Sequence, residues 1–188
     1  ITESDGASFT VTAAGAGNIA LTSTTGTLTI GGATNTGSGT ITLSSGDAVA
    51  VNATLDAGSG KIAINANTDG AGAQGFSNSG TIQTTSTATD AVVIKVNEST
   101  TNTGTGGAAI GASINAGTGA TGTIAIDTAN SGTTGGSITR SAGTLTANTV
   151  ALTTPTGGAS GIGATGAANN VQPTASTVTA TAGSGGVF

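Results

Sequence analysis

Apolar residues recur along this chain as pairs two positions apart, set among Thr, Ala and Ser. They are Phe9/Val11, Ile19/Leu21, Leu28/Ile30, Ile41/Leu43, Val49/Val51, Ile62/Ile64, Ile94/Val96, Ile124/Ile126 and Val150/Leu152. Period-two alternation in largely β-branched residues, bounded by Gly, Asn, Asp and Ser, predicts short strands with one face in a core. Helix is disfavoured because Gly and Thr are poor helix formers. The chain reads as all-β.

A longer period lies over the short one. One column, Ile19, Ile41, Ile62, Ile82, Ile124, Leu145 and Val187, advances in steps of about 21 residues, or about twice that where a member is missing. A second, through Phe9/Val11, Leu28/Ile30, Val49/Val51, Ile94/Val96, Ile114 and Val178, runs about half a step out of phase. Repeats of about 20 to 30 residues mark solenoids, in which each coil covers the apolar face of the next. The expectation is a right-handed parallel β-helix of about nine coils of about 21 residues, rising about 4.8 Å per coil. Its hand follows from the crossover preference of parallel strands. Residues 1–188 form one such unit, and the column loses its apolar residue near Thr103 and Gly166, which should be the loose coils.

Set end to end, Phe188 followed by Ile1 would place Val187 one repeat before the next Ile19, in step with the first column. Neither end of the sequence carries a capping helix, a charged strand or a Pro-rich cover of the kind that protects open strands. The pattern predicts a tandem repeat or a stack of copies, with Val187 and Phe188 of one meeting Ile1 and Thr2 of the next through strand pairing. A first residue other than Met suggests a piece processed or excised from something longer.

Composition argues both ways about order. Gly, Pro, Ser and Gln make up about 30% of the chain, a level typical of low-complexity polymers. Only 6% of residues are charged, however, whereas disordered chains stay open through high charge and low hydropathy. A thin solenoid resolves the conflict, since it needs only one or two apolar residues per strand. The net charge of −5, with Lys61, Lys95 and Arg140 as the only cationic side chains and no Trp or Tyr, argues against a nucleic-acid partner. No apolar run reaches the roughly 20 residues that span a bilayer.

Candidate chemistry is sparse. Glu3, Asp5, Asp47, Asp56, Asp69, Asp90, Glu98 and Asp127 are scattered, mostly beside Gly or Ala as turn residues are, and no His or Cys is present for a triad or proton shuttle. No enzyme activity, catalytic residue or cofactor is therefore expected. The one ion candidate is calcium on Asn65, Asn67 and Asp69. They occupy positions one, three and five of an EF-hand-like run with Gly70 at the sixth, but Phe76 stands at the twelfth in place of the bidentate Glu. Thr-x-Thr triplets such as Thr40/Thr42 and Thr144/Thr146 are those of flat threonine arrays, yet they form no uninterrupted ladder and read as β-formers on a solvated face. The sequons at Asn52 and Asn97 are expected by chance in so Asn- and Thr-rich a chain.

The stretches GNIALTSTTGTLTIGG (17–32), SGTITLSSGDAVAVNATLDAGSGKIAINA (38–66), GGSITRSAGTLTANTVALTT (135–154) and GIGATGAANNVQPTASTVTATAGSGGVF (161–188) resemble the β-strand repeats of giant secreted bacterial surface proteins. These are the filamentous-haemagglutinin-like and autotransporter-passenger β-helices. The resemblance implies an extracellular or cell-surface location, a role in a filament, sheath or surface fibre, and contact with a cell surface or matrix. An alternative is the stalk of an adhesin that binds through an inserted loop, either residues 98–119 or residues 70–79 around Phe76.

Overall fold

The computed structural model of the chain describes residues 1–99, 103–117, 121–129, 133–166 and 169–188. Over them the protein is all-β. Its strands are short because only two to five residues lie between one corner and the next. They form three sheets. Sheet I runs β1 (Thr2–Glu3), β4 (Ile19–Ser23), β7 (Ile41–Ser45), β10 (Ile62–Ala66), β13 (Val92–Val96), β16 (Thr123–Asp127), β19 (Thr149–Thr153), β21 (Thr177–Thr181). Sheet II runs β2 (Ala7–Phe9), β5 (Leu28–Ile30), β8 (Val49–Val51), β11 (Phe76–Asn78), β14 (Ala108–Ile110), β17 (Ile138–Arg140), and continues through single bridges from Ile138 to Ile162 and from Ile162 to Val187. Sheet III runs β3 (Thr12–Ala13), β6 (Thr34–Thr36), β9 (Leu55–Asp56), β12 (Ile82–Gln83), β15 (Ile114–Asn115), β18 (Leu145–Thr146), β20 (Pro173–Thr174).

The chain visits sheets I, II and III in rotation, and each strand pairs in parallel with its counterpart one turn away, as in β7 against β4 and β10. This is the arrangement of a stacked β-solenoid. Its core is the inward half of each alternation. In the third turn Ile41, Leu43, Val49, Val51 and Leu55 are all fully buried, each contributing about 1.5–3 kcal/mol of transfer free energy. Thr42 and Ala50 between them face outward.

The strand pairs are those of the alternation, but the regular register fails after Ile62. The Ile19 column continues through Ile41, Ile62, Val92, Ile124, Val150 and Val178; its steps match the repeat as far as Ile62 and are longer at every step beyond. Ile82 and Leu145 belong to sheet III, and Val187 to sheet II. In the second column Leu28 and Val49 lie in sheet II, whereas Ile94 and Val178 lie in sheet I and Ile114 in sheet III. Sheet I accordingly holds eight rungs among the described residues, not nine. The cause is unequal corners. Between sheets I and II the chain uses residues 46–48 in the third turn but 67–75 and 97–107 in the next two. Because the corner lies outside the ladders, its length changes the sequence period and leaves the rungs stacked. Thr103 and Gly166 fall in such lengthened connections.

The corner from sheet III back to sheet I is tight. A Cβ on Gly39 would lie inside contact distance of the Gly17 carbonyl, and one on Gly60 inside that of Gly39. Successive turns here pack backbone directly on backbone, which only glycine permits.

Candidate functional site

The ion candidates do not converge. Asn65 is half-buried on the outer face of β10, where it pairs with Lys95 and Ser44 across the ladder. Asn67, two residues on, turns into the interior with no exposed surface. Asp69 is exposed, and its Oδ1 accepts the Ala71 N–H at 3.0 Å, as an ordinary turn residue does. Alternation along the strand and the corner after it send the three side chains different ways.

What Asn67 does instead was not anticipated from the sequence. Its Nδ2 donates to Oδ1 of Asn97 at 2.7 Å, and Asn97 Nδ2 donates to the Gly106 and Thr128 carbonyls at 2.9 and 2.8 Å. Both residues are buried and left-handed, with φ of 52° and 65°, a region Asn enters more easily than other non-glycine residues. A signal was available. Asn follows the last inward residue of the alternation at the same offset in INA-Asn67 and IKV-Asn97.

The pair belongs to a polar seam inside the corner between sheets I and II, made of Ser23, Ser45, Asn67, Asn97, Thr128 and Thr154, all buried. These side chains fasten the corner backbone. Ser45 Oγ donates to the Gly26 carbonyl at 2.7 Å and Thr128 Oγ1 to that of Gly136 at 2.6 Å. The long connections also bond to one another: the Thr103 N–H donates to the Gly70 carbonyl, and that of Gly136 to Gly106. They stack into a ledge beside the outer face of sheet II. Of the two predicted binding loops, residues 70–79 contain Phe76, which is a core residue rather than a displayed one. Residues 98–119 contribute β14 and β15, and their positions 100–102 and 118–119 lie outside the described residues.

The acids serve local roles. Asp47 Oδ2 accepts the Gly26 N–H, Asp127 Oδ1 that of Ala129, and Asp56 Oδ2 accepts Gln83 Nε2 at 2.7 Å. Lys61 pairs with Asp90 at 2.7 Å and Lys95 with Glu98 at 3.0 Å. A groove of about 500 Å³ runs over Asp56, Gln83 and Asn115, one outward polar side chain per turn of sheet III. Among the described residues no three of His, Cys, Asp and Glu gather as a metal-binding group would. The threonine triplets scatter over the surface, with Thr42 and Thr179 on sheet I, Thr29 on sheet II, and Thr12 and Thr146 on sheet III. The two sequons differ: Asn52 is exposed, whereas Asn97 is the buried clamp just described.

The two ends of the stack present the apolar surface. Among the described residues the exposed large hydrophobic ones are Ile1, Val178, Val187 and Phe188, at 67%, 48%, 54% and 44% exposure. Ile1 stands in the inward column of Leu21, because Thr2 pairs with Thr22. Val178 stands in that of Val150, which is fully buried one turn below. At the first turn a hollow of about 150 Å³ opens among Ile1, Val11, Ala13, Ile19 and Leu21. The expected place of Val187 needs correcting in the same terms. It continues the column of Ile138 and Ile162 in sheet II, not that of Ile19 in sheet I, so joining Phe188 directly to Ile1 would omit a sheet III strand.

No protein-family model matches the chain, and neither does any curated protein or solved structure.

Proposed function

We propose that the chain is a structural segment of an extracellular bacterial fibre or sheath: one right-handed β-solenoid unit whose outermost rungs pair with further coils of the same kind. One observation carries the reading. Among the described residues the large apolar side chains left in water stand at the two ends, with Ile1, Val178 and Val187 in line with core columns, while the outer faces of the sheets carry mostly Thr, Ser, Ala and Asn. A face of that kind gains by burial against another turn, at about 25 cal/mol per Å² of apolar surface covered. Strand edges there also offer unpaired N–H and C=O groups. The surface location rests on the resemblance of the repeats to secreted bacterial β-helices, and the hand on the crossover preference of parallel strands.

Negative-stain imaging and sedimentation of the purified chain across a range of concentrations test the reading. Rods that lengthen with concentration are expected, and a dispersed monomer at every concentration would remove it. A second reading is favoured by the stacked ledge at the corner of sheets I and II: a stalk that meets a cell-surface partner along residues 70–72, 103–106 and 136. Cell adhesion that survives disruption of the ends but is lost on shortening the ledge would select it.

A further inference from the structure

We propose that the groove over sheet III is a binding site for an extended, uncharged glycan lying along the axis of the stack. The row of side chains on its floor differs from those of the other faces. Successive turns set Asn35, Asp56, Gln83, Asn115, Thr146 and Thr174 in one outward line, about 4.8 Å apart. The matching line on sheet II is broken by Ala50 and Ala109. On sheet I one outward line holds Ala63 and Ala151, and the other carries the charge of Lys95. An unbroken row of hydrogen-bonding groups along a concave strip suits a polymer with hydroxyls on every unit, because amides and hydroxyls each donate and accept.

The groove, of about 500 Å³, is deepest over the middle of that row, at Asp56, Gln83 and Asn115. Asp56 is held from two sides: its Oδ1 accepts the Gly58 N–H at 2.8 Å and its Oδ2 accepts Gln83 Nε2 at 2.7 Å. The amide of Asn115 has no hydrogen-bond partner among the described residues. Along the side of the groove the hydroxyls are already spent, Thr84 on the Gly60 carbonyl and Thr85 on that of Gly58. The side therefore fixes the shape and the floor offers the contacts. Charge narrows the ligand, since Asp56 lines the groove and no Lys or Arg does, so an anionic polymer would be repelled. A peptide would need a free strand edge to pair with, and β9, β12 and β15 are paired on both sides. No aromatic ring lines the groove either, so affinity rests on the hydrogen bonds and falls as they are removed.

Titration of the ¹⁵N-labelled chain with cellohexaose, followed by NMR, tests the site. The side-chain amides of Gln83 and Asn115 should shift saturably, while that of Asn65, on the outer face of sheet I, should stay in place. Hexagalacturonate, the charged counterpart, should leave all three unmoved. Asn115→Ala breaks no hydrogen bond of the protein, so its melting temperature should be unchanged while its affinity for cellohexaose falls about threefold to tenfold. Absence of a saturable shift, or an equal shift at Asn65, would overturn the site. Equal responses to hexagalacturonate or to an uncharged Gly-Ser hexapeptide would overturn the class of ligand. Undiminished affinity in a folded Asn115→Ala chain would overturn the role of the row.

Discussion

Replacing Asn97 by Ala should destabilise the solenoid far more than replacing Asn67, although the two side chains are equally buried and bonded to each other. Asn97 uses both ends of its amide. Without it, Asn67 Nδ2 and the Thr128 carbonyl lose the partners they have, while the Gly106 carbonyl keeps the Gly136 N–H. Two buried groups orphaned at about 1–3 kcal/mol each put the loss at about 2–6 kcal/mol. Asn67 is already half-satisfied, because its buried Oδ1 accepts no hydrogen bond. Its removal takes one donor from the buried Asn97 Oδ1 but also deletes the orphaned Asn67 Oδ1, so the two nearly offset and a net loss of about 1 kcal/mol is expected. Both positions have positive φ, and the cost of placing Ala there, about 1–2 kcal/mol, cancels in the comparison. Urea unfolding followed by circular dichroism should place the midpoint of Asn97→Ala well below that of Asn67→Ala. Equal midpoints, or the reverse order, would refute the asymmetry and the claim that the seam is held from the Asn97 end.

Three further outcomes follow from the geometry. Gly39→Ala forces its Cβ into the Gly17 carbonyl and should cost about 1–3 kcal/mol, whereas Gly158, with nothing within 4 Å of a Cβ, should accept Ala at no loss; thermal melts of the two compare them. Lys61→Met removes a pair whose side chains are 46% and 53% exposed, and should shift stability by less than about 1 kcal/mol, with a smaller shift in high salt. Glu3 is held below its ordinary pKa by the neighbouring Ser23 hydroxyl and by the Asp5 and Gly6 N–H groups, which donate to its Oε2. The stability it contributes is present above the unfolded-state value and is lost as pH falls through the lower folded one. Glu3→Gln should therefore flatten the acid-induced loss of amide protection at Gly6, read by hydrogen exchange, and an unchanged profile would contradict the assignment.

The sequence and the structure agree on what alternation can encode. Ile41/Leu43, Ile94/Val96 and Val150/Leu152 lie inward because residues two apart in a strand share a face. Alternation does not encode which sheet a strand enters. Ile82 follows Ile62 at close to the regular period, yet residues 67–75 have already used up the difference and it arrives in sheet III. Such connections lie outside the ladders and leave no trace in the apolar pattern. Val187 and Val178 fall outside the columns that the period predicts for them, for the same reason. The Asn67–Asn97 clamp was hidden because an Asn after a strand reads equally well as a solvent-facing turn, and only the neighbouring turn reveals that it points inward.

The hydrogen bonds of all three sheets run along the axis, from one turn to the next. Tension applied between the first and last turns would therefore open them as a zipper opens, one turn at a time, rather than shearing many at once. Each released turn gives up a rise of about 4.8 Å and frees about 20 to 30 residues of chain, about 70 to 110 Å when extended. The longest slack would come from the turns with the widest corners, where the buried asparagines and threonines hold the connections closed. Under load the corner between sheets I and II would act as a store of length, and the polar seam as its latch.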